Sequence, residues 1–283
     1  MMNHKGPGGI PLADSDLSLR LEYAEAWSNR EFIDSRSRAT PGTTACWREI
    51  GGAFVMFDFP GSPLTQTFGL GMRSPVLPAD IASIESFFRD RGADTYHEVS
   101  PLADPSALAL LNDRGYRPVE YTNVLFRTIT RDDTSGTWND AALSVRRIQA
   151  EEEESWSATS SAGWGEFPGL SEFMHDCGRV FTRQNNARLF LAELDGSAVA
   201  TGILHIHGGV AIFAGASTIP SARRRGAQLA LLHARLRFAH ESGCDLAMMC
   251  AQPGSASQRN AERHGFRIAY TRTKWLLGTA AAP

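Results

Sequence analysis

Ala214-Gly215-Ala216-Ser217-Thr218-Ile219-Pro220-Ser221-Ala222-Arg223-Arg224-Arg225-Gly226-Ala227-Gln228-Leu229 is the stretch on which the reading of this chain turns. A strand runs into a turn at Pro220, three consecutive arginines follow, and Gly226 opens an apolar helix. The first N–H groups of a helix have no partner inside it and carry the positive end of its dipole, so together they form an anion site. Glycine at that point lets a phosphate approach the backbone, and adjacent arginines add charge. The segment suits a pyrophosphate. Taken alone, the same residues equally suit an exposed basic turn that only starts a helix.

Downstream, Leu229, Leu232, Leu236 and Ala239 form a buried stripe on a helix from Gly226 to His240, stopped by Gly243. An apolar strand follows at Asp245 to Ala251, then a short helix at Ser255 to His264 and final strands within Phe266 to Leu277. Upstream lie strands at Val210 to Ser217, Val199 to His207 and Ala187 to Leu194, and helices at Leu170 to Thr182 and Ala150 to Trp164. The Glu151 to Glu154 run suits the positive end of that last helix. A strand at Leu143 to Ile148 opens this half, after a polar, turn-rich stretch at Arg131 to Ala141 that reads as a linker.

The same order of elements precedes the linker. A helix at Asp14 to Arg30, with Asp14 or Ser15 as N-cap, leads to strands at Gly52 to Phe59 and Thr65 to Met72. A helix at Pro78 to Arg91, a strand at Asp94 to Val99, a helix at Pro105 to Arg114 and strand pairs within Arg117 to Thr130 complete it. Gly92-Ala93-Asp94 matches Gly243-Cys244-Asp245 at an offset of 151, and Gly115-Tyr116-Arg117 matches Gly265-Phe266-Arg267 at an offset of 150. A period that long indicates a duplicated domain and not a solenoid unit.

Composition bounds the function. With 283 residues, 42% of them hydrophobic, the chain has material for two packed cores and is not disordered in bulk. A net charge of −3 gives no global field for a polyanion, and no stacking aromatics interleave the three arginines, so no nucleic-acid partner is expected. The four cysteines, Cys46, Cys177, Cys244 and Cys250, show neither metal-ligand nor disulfide spacing, so no metal is expected and a reducing cytoplasm is. The longest stretch without Asp, Glu, Lys or Arg, Gly196 to Ala222, is broken by His205, His207, Gly208-Gly209 and Pro220, and reads as two strands instead of a membrane span. Met1 to Pro11 has no apolar run and reads as a tail.

The loop resembles the acyl-CoA loop of the GCN5-related N-acetyltransferases, Pro-x-x-Arg-x-x-Gly-x-Gly/Ala, at Pro220, Arg223 and Gly226, with Gln228 in place of the usual small residue. Ser257-Gln258-Arg259-Asn260-Ala261-Glu262-Arg263-His264-Gly265-Phe266 is similar to the family's fourth helix and the Gly-Phe after it. The resemblance implies an α/β (α+β) fold of two tandem GNAT-like domains, each a mixed, mainly antiparallel twisted sheet flanked by helices. The expected division is a disordered tail at 1–13, a degenerate copy at 14–130, a linker at 131–142 and an acyl-CoA-binding domain at 143–279. The N-terminal copy has Gly71-Met72-Arg73-Ser74-Pro75-Val76-Leu77-Pro78 at the loop position, where two prolines lack the donor a phosphate cradle needs.

It also implies transfer of an acetyl group from acetyl-CoA to an amine of a small molecule or peptide by direct attack on the thioester. The implied cofactor-binding residues are Ala216, Ser217, Thr218, Arg223, Arg224, Arg225, Gly226, Ala227, Gln228, Leu229 and Asn260. Many members place a Tyr where this chain has Ala261; Ser257, one turn earlier on the same face, is the candidate donor to the leaving thiolate, as in some members that acetylate protein N-termini. No general base is assigned: His205 and His207 share a strand face with Ile203, and Glu166, Glu172 and His175 fall where members bind acceptors. Trp156, Trp164 and Phe167 read equally as acceptor-pocket or packing residues. A non-catalytic acyl-CoA sensor, and a tandem enzyme similar in layout to mycothiol synthase, stay open beside the transferase.

Overall fold

The structure is a computed structural model and describes residues 11–134 and 142–278. The expected tail falls mostly, and the expected linker in part, outside these residues; at the linker's start Arg131–Thr134 form a 3-10 turn. Compactness divides the chain into two units, one formed by residues up to Arg127 together with those from Cys250 onward, the other by 128–249. This differs from a linear division at the linker, because the last strand packs into the first unit.

In the first unit, α1 (Ser15–Ala39) begins at Asp14, whose side chain accepts the amide of Leu17 at 2.9 Å. It runs past the expected end at Arg30 because Phe32 and Ile33 continue its buried face. The strands β1 (Cys46–Ile50) and β2 (Ala53–Phe57) form an antiparallel hairpin turned at Gly51-Gly52, both with positive φ. Pattern reading missed β1, a half-exposed strand without alternation, although the Gly-Gly pair marks its turn. Then come β3 (Gln66–Phe68), α2 (Pro78–Arg89), β4 (Thr95–Val99), α3 (Pro105–Asp113) and β5 (Arg117–Thr128). Ile81, Ile84 and Phe88 of α2 and Leu111 of α3 pack with Ala53, Val55 and Phe57 of β2 in one core.

The final strand, β11 (Arg267–Leu277), pairs antiparallel with β4 on one side and with β5 on the other, so the unit's order is β1-β2-β3-β4-β11-β5. Hydrogen bonding along both edges is what places the C-terminal residues here. β5 and β11 are the counterparts in the internal repeat, and each is one continuous strand where strand pairs were expected.

The second unit contains β6 (Leu143–Arg147), α4 (Glu153–Ala162) after a 3-10 turn, α5 (Pro168–Phe181), β7 (Ala187–Leu194), β8 (Ser197–His207), β9 (Val210–Thr218), α6 (Ala227–Glu241) and β10 (Leu246–Ala251), in the order β10-β9-β8-β7-β6. Trp156 is fully buried against Leu189, Leu191 and Ile203, and its indole donates to the Phe190 carbonyl at 2.9 Å. It is therefore a core residue, the packing alternative of the two readings left open for it. Within each unit the strand pairing is mixed and mainly antiparallel with flanking helices, as expected; β9 and β10 are parallel only from Leu246↔Val210 to Met248↔Ile212, and β9 runs on to Thr218.

Candidate functional site

Between β9 and α6 the chain makes a short 3-10 turn at Pro220–Ala222, then Arg223 is extended, Arg224 sits at φ 63 and Gly226 at φ 82. A non-glycine residue in the left-handed region is uncommon and costs energy, so its presence here marks a backbone held in shape by its surroundings. α6 has no side-chain N-cap, whereas Asp14, Asp104 and Ser255 cap the helices that follow them, α7 (Ala256–Arg263) among them. Among the described residues no acceptor meets the amides of Arg224, Arg225, Gly226, Ala227 or Gln228. Five successive donors at a helix N-terminus, beside the exposed Arg224 and Arg225, make a nest for a polyvalent anion.

Gln228 accounts for its departure from the small residue expected there. Its amide nitrogen donates to the Ser217 carbonyl at 2.9 Å and the Thr218 hydroxyl at 2.8 Å, tying the first turn of α6 to the end of β9. Ser217 donates to the Ser160 carbonyl at 2.7 Å, and a Cβ at Gly163 would fall 2.9 Å from the Thr218 amide. The end of α4 is thus pressed against the strand that leads into the loop. Arg223 turns the same way: it meets Glu166 at 2.6 Å and the Gly163 carbonyl at 3.2 Å.

Upstream of the loop β9 carries a bulge. Thr201 faces Ser217 and Ile203 faces Ala214, so Gly202 stands opposite both Gly215 and Ala216. A bulge leaves one residue's backbone outside the ladder. Gly215 has φ 57, and a Cβ there would lie 2.5 Å from the Ile203 side chain, so both the conformation and the space require glycine. Neither the bulge nor the Gln228 brace was read from the sequence, though glycines inside two adjacent strands are a signal for the bulge.

In the N-terminal copy, part of the corresponding backbone is engaged internally. The Gly71 carbonyl accepts from Asp104, the Val76 amide donates to Ser106 Oγ at 2.7 Å, and the Leu77 amide donates to Asp80 at 3.0 Å. A Cβ at Gly71 would meet Ala107 at 3.1 Å.

Ser257 is exposed and Asn260 half-buried on α7, in the first unit, while the loop belongs to the second. Ser255 caps α7 by accepting from Gln258, and Ala261 is buried. Of the other candidates, His205 is 2% exposed and burial pushes its pKa down to about 3, so it is neutral and out of reach of solvent. His175 contacts Glu154 at 3.0 Å, and Phe167 is exposed. Among the described residues no three His, Cys, Asp or Glu side chains gather as a metal-binding group, and no helix is long and apolar enough to cross a membrane.

Residues 120–253 match the family model described as acetyltransferase (GNAT) domain. Solved structures with the same fold include a GCN5-related N-acetyltransferase from Kribbella flavida, with 20% identity, TM-score 0.63 and coverage of 93% of this chain and 96% of that one. A tandem GNAT protein from the clavulanic acid biosynthesis pathway is similar at 13% identity and TM-score 0.61, over 97% of this chain and 98% of that one. A GCN5-related N-acetyltransferase from Sphaerobacter thermophilus is similar at 17% identity and TM-score 0.55, over 94% and 92%. No curated protein matches the sequence. The matched segment contains the loop and the bulge and ends before α7, so Ser257 and Asn260 lie outside it.

Proposed function

We infer, from the match of residues 120–253 to the acetyltransferase (GNAT) domain model and from a fold shared with a tandem GNAT protein, an N-acetyltransferase that moves an acetyl group from acetyl-CoA to the amine of a small molecule or peptide. The observation that carries this reading is the run of five amides without an internal acceptor, from Arg224 to Gln228, at the start of α6. These amides receive the pyrophosphate, with Arg224 and Arg225 adding charge and Gly226 and Ala227 leaving the approach open. Ala216, Ser217 and Thr218 run beside the pantetheine arm, and Leu229 adds apolar contact. Arg223 exchanges Glu166 for phosphate.

In the reaction the neutral amine nitrogen attacks the thioester carbonyl, the C–N bond forms as the C–S bond breaks, and the proton shed by nitrogen passes through solvent to the leaving thiolate, giving the amide and CoA thiol. Ser257 donates to that thiolate and Asn260 contacts the same arm. The N-terminal copy, whose loop carries Pro75 and Pro78 and turns the Val76 and Leu77 amides onto Ser106 and Asp80, supplies no second cofactor site. A cytoplasmic setting suits four cysteines that form no disulfide among the described residues. Acetyl-CoA sensing without turnover is the second reading, favoured by Ala261 where many members have Tyr. Release of CoA from acetyl-CoA in the presence of a panel of small and peptide amines separates the two: amine-dependent release supports the transferase, and tight acetyl-CoA binding with no release under any amine supports the sensor.

A further inference from the structure

Arg235, on α6, is 3% exposed, yet among the described residues no carboxylate meets it. Its guanidinium is held by backbone carbonyls: Nε donates to Leu231 at 3.1 Å, and Nη1 donates both to Ile203 at 3.1 Å and to Ala214 at 3.3 Å. Phe213 lies under the cation at 5.0 Å. Burial pushes the guanidinium down to about 9. Burying a charge without a counter-ion is costly, and a methionine would fill such a space without that cost, so the position calls for a local reason.

Its placement supplies one. Ile203 and Ala214 are the pair at which β8 and β9 resume register after the bulge, and one nitrogen of Arg235 spans both of their carbonyls. Opposite the bulge, Gly202 has no side chain, and a Cβ there would lie 2.9 Å from the guanidinium carbon. Across the sheet the Ile203 side chain fills the space that a Cβ on Gly215 would need. Gly202, Arg235, Ile203 and Gly215 therefore form one matched set around the irregular residue.

Resting on the acyl-transfer reading above, which runs the pantetheine arm beside Ala216 to Thr218, we propose that Arg235 is a positioning residue: it locks the β9 bulge in the one register that presents Gly215 and Ala216 to that arm. The arginine touches no substrate. It acts through the strand: the planar guanidinium fixes Nη1 on the Ile203 and Ala214 carbonyls while Nε is held by Leu231. A shift of the bulge by about an ångström displaces the reacting carbonyl by as much, which is enough to cost a factor of about 10 to 100 in turnover.

The test compares Arg235→Met and Arg235→Lys with the wild type by steady-state kinetics and by calorimetric titration with CoA. The expected result is kcat lowered about tenfold or more in the Met variant and partly restored in the Lys variant, with CoA affinity within about threefold because the amides of Arg224 to Gln228 stay in place. Unchanged kcat, or CoA affinity falling in parallel with kcat, overturns the proposal. Should Arg235→Met not fold, Gly202→Ala crowds the same guanidinium while keeping it, and the same split is expected. Amide hydrogen exchange at Gly215 and Ala216 reads the device without turnover: faster exchange in the variants upholds it, and unchanged exchange overturns it. If no amine makes the wild type release CoA, the transferase reading fails, and the exchange result still decides whether Arg235 holds the bulge.

Discussion

The guanidinium of Arg223 lies 2.6 Å from the carboxylate of Glu166, and both side chains are about half exposed. The pair joins the segment between α4 and α5 to the loop that precedes α6. A phosphate arriving at the loop competes with Glu166 for the same arginine, and an exposed ion pair is worth at most about 1 kcal/mol, so the competition is winnable.

Glu166→Gln removes the competitor and its charge. CoA affinity measured by calorimetry at low salt is expected to rise by up to about fivefold, with the gain fading as salt is added. Weaker CoA binding in this variant would mean that Glu166 orders the loop for the ligand and does not compete with it.

Gly226→Ala places a Cβ on a residue at φ 82, where an L side chain costs about 1 to 2 kcal/mol. Thermal unfolding is expected to shift down by a few degrees, with CoA affinity reduced as the loop relaxes away from its shape. Equal stability and affinity would show that the left-handed turn is not required.

Features set by neighbouring residues are legible in the sequence, and features set by distant partners are not. Pro220, the arginines and Gly226 announce the loop because a turn, positive charge and an open helix start are properties of neighbouring residues. The ends of β7 were legible for the same reason: turn residues bound an apolar run at Ala187–Leu194. β11 was read as a strand, but nothing within Arg267–Leu277 says that it inserts between β4 and β5. Arg235 lies beside Leu236, three residues from Leu232 and four from Ala239, on the flank of the apolar stripe, and nothing in the sequence assigns it a role. Its burial follows from carbonyls on β8 and β9 that come into reach only when the bulge forms.

Arg272 is buried among Glu98 at 2.9 Å, Glu25 at 2.7 Å and Glu22 at 3.3 Å, and Lys274 meets Glu98 at 3.2 Å. Removing one partner from such a cluster leaves buried charge uncompensated, so Arg272→Met is expected to destabilise the first unit by about 3 to 5 kcal/mol in urea unfolding. A loss below about 1 kcal/mol would mean that the carboxylates take up protons or water at little cost.

Protonation of buried groups gives stability a pH dependence with two opposite parts. His205 has its pKa lowered by burial from 6.5 to about 3, so the unfolded chain binds the proton first, and stability present above pH 6.5 is lost as pH falls towards 3. Burial, outweighing the pull of Arg272, raises Glu22 from 4.5 to about 7, so its contribution is complete below pH 4.5 and is lost as pH rises through 7. In His205→Leu the fall of the unfolding temperature between pH 6.5 and 5 should be shallower than in the wild type. An unchanged slope would place the acid sensitivity elsewhere, with His97, also buried and lowered to about 3, the next to replace.

The central claim, one acyl-CoA site per chain at the start of α6, is tested most directly by calorimetric titration of acetyl-CoA into the wild type and into Gly226→Asp. The account predicts one site per chain in the wild type and no detectable binding in the variant, whose carboxylate occupies the place of the pyrophosphate. Two equivalent sites, no site, or full affinity in Gly226→Asp would contradict it.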